Sequence, residues 1–361
     1  MAYSESVFRL APLAMDGNFC QHHELSPEAD RHGCACIPYI RSVTKASMRI
    51  TTTTLGYGLA AIAGLVTTIQ SRVNGGLADY LGSGTSAALV NFTVGLIIIT
   101  AIVVSVPRSR AGVLAVLQAL RKRTLPWWTL IGGIFGAFFI AIQSTSVPVI
   151  GVALFSVALV SGQTVSSLLV DRLGIGTHQG VPITPARVIG AGGAAVSVLI
   201  AVSGQWDNPA TGFWILITLS FFAGVFVALQ QAVNGRVSMA ARSAPVATLG
   251  NFMIGAITLM IVVTATGGFT GPDSPVNTSG PTWAYLGGVL GVIFIGISAF
   301  AVPILGVLSF ALVVIAAQLI SAIVLDVIWP ATEQPITLAV IGGASLAAAA
   351  AFVGRRRASS S

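Results

Sequence analysis

Apolar residues in this chain do not alternate with polar ones. They run on for about 20 residues at a time, a length that spans a bilayer core as a helix, and short clusters of Gly, Pro, Ser and charge separate them. Alternation would mark barrel strands, whereas long continuous apolar runs mark helices that satisfy every backbone group internally. Ten such stretches predict spanning helices at 55–74, 86–106, 127–147, 150–170, 187–204, 212–233, 246–266, 283–302, 304–325 and 336–353. The expected fold is therefore an all-α polytopic membrane protein with ten transmembrane helices.

Composition removes the alternatives. Hydrophobic residues make up 55% of the 361 and charged ones only 8%, where a soluble protein carries roughly a quarter charged residues. The mean hydropathy is +0.89. A cytosolic enzyme, a nucleic-acid binder and a secreted disulfide scaffold are excluded. The formal charge of +7 sits at segment ends. Arg108, Arg110, Arg121, Lys122, Arg123, Arg172, Arg187, Arg236, Arg242 and Arg355–Arg357 fall on one side of a ten-span chain, with Arg41, Lys45 and Arg49. Asp79, Asp207, Asp273, Asp326 and Glu333 fall on the other, where Arg72 is the only base. The positive-inside rule places both termini in the cytoplasm, and the plasma (inner) membrane is the expected location.

Residues 1–48 have a different character, with five of the eleven acids, all three cysteines and three of the four histidines. They predict a disordered cytoplasmic tail, with Met48 a natural start. His22, His23, His32, Cys34 and Cys36 fit no standard zinc spacing, so no metal or other cofactor is expected. The remaining divisions are 49–204, 205–354 and a basic C-terminus at 355–361.

The two long divisions are copies. Residues 59–103 align without a gap on 219–263, with 15 of 45 positions identical, and 128–171 align on 283–326, with 15 of 44. Low complexity inflates apolar identities, so the polar matches decide. Gln70-x3-Asn74-Gly75 answers Gln230-x3-Asn234-Gly235, Asn91-Phe92-x2-Gly95 answers Asn251-Phe252-x2-Gly255, and Gln163-x7-Asp171 answers Gln318-x7-Asp326. Five spans per copy start the first inside and the second outside, so the copies are inverted, an architecture suited to alternating access.

These motifs resemble the drug/metabolite transporter superfamily, specifically its YdcZ-like branch, across residues 55–353. That branch is similar in having five-helix units that occur alone or fused in pairs. The resemblance implies a ten-helix carrier of small molecules and supplies no substrate. One departure is Ala317-Gln318 in the second copy against Gly162-Gln163 in the first.

Gln70 and Asn74 share a helix face, as do Gln230 and Asn234. Amides in a bilayer must find partners, and a solute is one. With Gln163 and Gln318 near mid-span, these six are the candidate substrate-binding residues. A left-handed cap at each Asn-Gly is the structural alternative. Asn91 and Gly95, with Asn251 and Gly255, read as close helix crossings, and Gly132, Gly136, Gly287 and Gly291 as small-residue packing faces. Pro148 and Pro303 stand at joints where each begins a helix. Asp171 and Asp326 fit solvated helix ends or gates, and Trp127, Trp128 and Trp283 fit membrane interfaces.

No Asp, Glu, Lys or His lies mid-span, and no protease or nucleotide-binding motif is present. The expected function is a secondary-active carrier, not an enzyme, moving a small metabolite or drug-like solute through the lipid bilayer, with H+ or Na+ as candidate coupling ion and no nucleic-acid partner. A non-transporting scaffold that binds partner helices is the alternative.

Overall fold

A computed structural model describes residues 36–175, 183–205, 212–267, 281–305, 307–332 and 336–354. The chain divides into two compact units, Met1–Ile50 and Thr51–Ser361. All that follows on packing concerns the second.

The described residues are helical and contain no strand. The elements are α1 (Cys36–Leu81), α2 (Gly84–Ser105), α3 (Pro107–Arg121), α4 (Gly132–Arg172), α5 (Pro185–Val202), α6 (Phe213–Ala241), α7 (Ala244–Ala265), α8 (Gly287–Leu305), α9 (Val307–Ile328) and α10 (Leu338–Gly354). Short 3₁₀ turns, Trp127–Ile131 and Thr282–Leu286, lead into α4 and α8. Among the described residues, six segments are long and apolar enough to cross a membrane: Gly84–Ser105, Trp127–Val170, Pro185–Val202, Phe213–Ala241, Ala244–Ala265 and Phe310–Ile328. Two shorter apolar helices, Thr282–Ser298 and Leu338–Val353, accompany them.

Several boundaries differ from those the sequence predicts. Helix α1 begins at Cys36, within the stretch expected to be a tail, and 1–35 lie outside the described residues. It also runs past Asn74-Gly75 to Leu81, and α6 runs past Asn234-Gly235 to Ala241. The left-handed cap is thus overturned. Gly75 is small because Val147 and Pro148 press against it, and α1 ends instead at Leu81, followed by Gly82 with φ 61°. The 107–121 stretch, expected as loop, is helix α3.

The third and fourth predicted spans form one helix, α4, broken at Gly151 (φ 77°, ψ 165°). That backbone region is essentially closed to residues with a Cβ. Pro148 does not begin a helix as expected; it sits inside α4, three residues before the break. The equivalent Gly306 and the Pro303 side chain lie outside the described residues. Below the break, Val152, Phe155, Val157 and Val160 are fully buried and form the main core with Val202, Ile217, Leu319 and Ala347.

The copies interlock. Gly162 of α4 lies against the Phe221 carbonyl of α6, and Gly224 of α6 against the Leu159 carbonyl of α4. Equivalently, Gly64 of α1 lies against the Val314 carbonyl and Ala317 of α9. Backbones this close need small residues, the usual device for joining helices without a hydrophobic driving force. Helices α5 and α10 meet the same way, with Gly343 against Ala201 and the Ser197 carbonyl.

Candidate functional site

Two amide clusters occupy equivalent places in the two copies. In the first, Asn91 Nδ2 donates to Asn74 Oδ1 at 2.7 Å, and Asn74 Nδ2 donates to Gln143 Oε1 at 2.7 Å. Gln143 Nε2 then donates to Ser71 Oγ at 2.8 Å, and Ser71 donates to the Thr67 carbonyl at 3.0 Å. Gln70 Nε2 donates across to the Gly287 carbonyl of the second copy at 3.0 Å. Asn91, Asn74, Gln143, Ser71 and Gln70 are all buried, none more than 6% exposed. The amide nitrogen of each Asn and Gln in this relay has an acceptor, which is what burial demands of it.

In the second cluster, Gln230 Nε2 and Asn234 Nδ2 both donate to Asn251 Oδ1, each at 3.0 Å. Gln163 Nε2 donates to Gln231 Oε1 at 3.2 Å. Only Asn251 is buried; Gln163, Gln230 and Asn234 are half-buried and Gln231 is exposed. The amides of this cluster other than that of Asn251 keep part of their surface exposed. Three aromatic rings stand beside it, Phe135 stacked on Phe226 at 6.0 Å and Phe138 tilted against it at 5.8 Å. Phe226 precedes Gln230 by four residues, on the same face of α6.

The difference has a simple origin. Gln143, which closes the first cluster, corresponds to Ser298 in the second copy, and Ser298 bonds its own helix at the Phe294 carbonyl, 2.8 Å away. Ser71 corresponds to Gln231. Gln143, Ser71 and Gln231 do not stand out in the sequence as site residues. Their signal is present nonetheless, as polar positions at which the two aligned copies disagree.

Each cluster rests on glycines of the other copy. A Cβ at Gly287 would collide with Asn74 Oδ1 and Asn91 Nδ2, and one at Gly291 would stand 3.0 Å from Gln70 Nε2. A Cβ at Gly132 would collide with Asn234 Oδ1, and one at Gly136 with Gln230 Nε2. Between the clusters the Phe92 and Phe252 rings meet at 5.1 Å. Each ring covers a glycine of the opposite copy, Phe252 over Gly95 and Phe92 over Gly255. Each of these glycine contacts has its repeat-related counterpart, so a pseudo-twofold relation passes between the two rings.

Gln163 and Gln318 do not meet each other. Gln163 follows the Gly162–Gly224 crossing and Gln318 follows the Ala317–Gly64 crossing. Gln318 is buried, and its carbonyl accepts from Thr68 Oγ1 at 3.2 Å, while Thr68 and Ser321 share a hydroxyl bond of 2.7 Å.

Asp326 is neither a solvated end nor a free gate. Its carboxylate accepts from the Val152 N–H at 3.1 Å and the Ala153 N–H at 2.6 Å. These are orphan donors at the restart of α4 after Gly151, and a carboxylate is well suited to such a helix start. The matching Asp171 side chain lies outside the described residues. Arg72 stacks over Trp329 at 4.8 Å and donates to the Trp329 carbonyl, and Trp329 packs edge-on against Trp283. Arg236 stacks over Trp128 at 5.1 Å, so both repeat-matched tryptophans belong to cation–aromatic clusters. Trp127 is 75% exposed. Asp207, Asp273, Glu333 and His178 lie outside the described residues.

A family model described as "Putative inner membrane exporter, YdcZ" matches the chain twice, over residues 55–200 and 215–353. No curated protein matches the sequence. A solved crystal structure is similar over 84% of this chain and 96% of its own, at 17% identity and a TM-score of 0.46. The two family matches coincide with the two copies, and the chain belongs to the YdcZ branch of the drug/metabolite transporter superfamily as two fused units, an integral inner-membrane transporter.

Proposed function

We propose that the protein exports a small, polar, hydrogen-bonding solute by alternating access, using ten spans arranged as two inverted five-helix copies. The direction follows the description of its family. The ten spans are those read from the sequence, with α4 supplying two of them on either side of Gly151.

One observation carries the reading. Two clusters at repeat-related places, sharing the Gln, Asn and Asn motif residues but differing at Gln143/Ser298 and Ser71/Gln231, take different shapes, one closed around its own amides and one open. Inverted copies that exchange such shapes convert one facing state into the other. In the state described, Gln163, Gln230 and Asn234, with Gln231, form the seat. Exchange would open Gln70, Asn74 and Gln318 and draw the other set closer around Asn251, without a counterpart of Gln143. Amides offer donors and acceptors without charge, and the Phe135, Phe138 and Phe226 rings offer a flat apolar wall. An uncharged, planar solute suits that combination.

Cysteine accessibility tests it. In proteoliposomes carrying metabolite pools, under imposed H+ or Na+ gradients, a transported solute should change the labelling of Gln231→Cys and Ser71→Cys in opposite senses. Unchanged labelling at both sites, with no solute moved, would favour the scaffold reading.

A further inference from the structure

Helix α3 joins the end of α2 at Ser105 to the turn that begins α4 at Trp127, so both its ends are tied to apolar helices at one membrane face. One side of α3 is buried. Ser109, Gly112 and Val116 pack on the α6–α7 corner, with Ser109 Oγ 3.3 Å from Ser243 Oγ and Gly112 against the Ala241 carbonyl. Val116 joins Val237, Ala241 and Val246 in a small cluster.

The opposite side has its own order. Arg110, Leu114, Leu117 and Arg121 follow at i, i+4, i+7 and i+11, a single ridge along the helix. All four are exposed, Leu114 by 61% and Leu117 by 49%. Arg108, Lys122 and Arg123 are also exposed, and no acid occurs between Pro107 and Trp127. Two leucines flanked by arginines on an unpartnered ridge make poor water-facing surface and poor membrane interior. They fit the boundary between the two, where apolar side chains enter the acyl region and long basic ones reach back to the phosphates.

We propose that α3 is an interfacial helix that binds anionic phospholipid headgroups through Arg110 and Arg121, with Leu114 and Leu117 inserted beside the acyl chains. The choice of occupant rests on charge. Five exposed cations with no intervening acid select a negative surface, and the cytoplasmic leaflet supplies one.

The test uses the full chain in nanodiscs of phosphatidylcholine, with or without phosphatidylglycerol, and the double variant Arg110→Gln/Arg121→Gln. Phosphatidylglycerol should raise the thermal midpoint of the parent protein, and the double variant should lose that increase while melting normally in phosphatidylcholine alone. Retention of phosphatidylglycerol, read by native mass spectrometry, should fall about fivefold for each arginine removed. A nitroxide on Leu114→Cys, with Cys20, Cys34 and Cys36 replaced by Ser, should be relaxed by oxygen more than by a water-soluble nickel chelate. Equal responses of the two proteins to phosphatidylglycerol would overturn the proposal, as would equal stabilisation by inorganic phosphate. A nitroxide reached mainly from water would also overturn it and leave the ridge to a protein partner.

Discussion

In the first amide cluster Asn91, Asn74, Gln143 and Ser71 hand a chain of hydrogen bonds inward to a backbone carbonyl; in the second, Gln230 and Asn234 converge on a single oxygen of Asn251. The helices are equivalent and so are most of the residues. The outcome turns on two positions, Gln143 against Ser298 and Ser71 against Gln231. A long amide opposite a short hydroxyl closes one cluster, and the reverse arrangement leaves the other open. The adjoining crossings differ in the same sense. Thr68 ties α1 to α9 through Gln318 and Ser321, whereas its counterpart Ala228 has no hydroxyl to offer α4. Copies that share about a third of their aligned residues therefore place one closed and one more open cluster in a single molecule.

The largest effect should come from Asn74→Leu compared with Asn234→Leu. The first orphans Gln143 and Asn91 in a buried site and should cost about 2–6 kcal/mol, since each stranded group costs about 1–3 kcal/mol. The second leaves Asn251 with Gln230 and should cost about 0.5–1.5 kcal/mol. Unfolding in detergent measures both, and equal losses would erase the distinction between the clusters. Next is Asp326→Ala, which removes the acceptors for Val152 and Ala153 at the break in α4. A loss of about 1.5–3 kcal/mol is expected for bonds to a charged group, read by the same unfolding.

Gly287→Ala should cost about 1–3 kcal/mol by overpacking, because the Asn74 and Asn91 amides it meets are held by their own bonds. Gly132→Ala meets the half-buried Asn234 and one methyl of the buried Val233 and should cost less, about 1 kcal/mol. Thermal midpoints of the two variants, measured side by side, give the ratio. Gln143→Ser copies the second cluster's residue into the first. It should cost about 1–2 kcal/mol and raise the labelling of a cysteine at Ser71, so unchanged labelling would mean that Gln143 does not close the site. The smallest effect belongs to Gln163→Leu, which should leave the thermal midpoint nearly unchanged and weaken solute binding by about 0.5–1.5 kcal/mol. Gln318→Leu keeps the backbone carbonyl that Thr68 uses and should leave both the thermal midpoint and binding nearly unchanged in this state, so weakened binding by Gln318→Leu and not by Gln163→Leu would assign the open seat to the other copy.

Much of the molecule is legible in the chain alone. Apolar runs locate the helices, and the paired motifs locate both clusters. Other features mislead for identifiable reasons. Asn-Gly resembles a helix end because glycine tolerates left-handed backbone, yet Gly75 is required by the approach of Val147 and Pro148. Cations at 108–123 suggest a loop, although Leu114 and Leu117 keep helical spacing between Arg110 and Arg121. Asp326 looks solvated because it ends a span, but the break at Gly151 brings two unpaired N–H groups to it.

What the sequence determined by itself is the material: helices long enough to satisfy their own backbone in lipid, two copies of one unit, and a small set of amides that could not be left unpaired. Tertiary structure decided which amides close on one another and which stay open. Helix formation depends on neighbours within a turn or two, while the partners of Gln70 and Asp326 lie 217 and 174 residues away, and only the packing of one copy into the other brings such groups within hydrogen-bond reach.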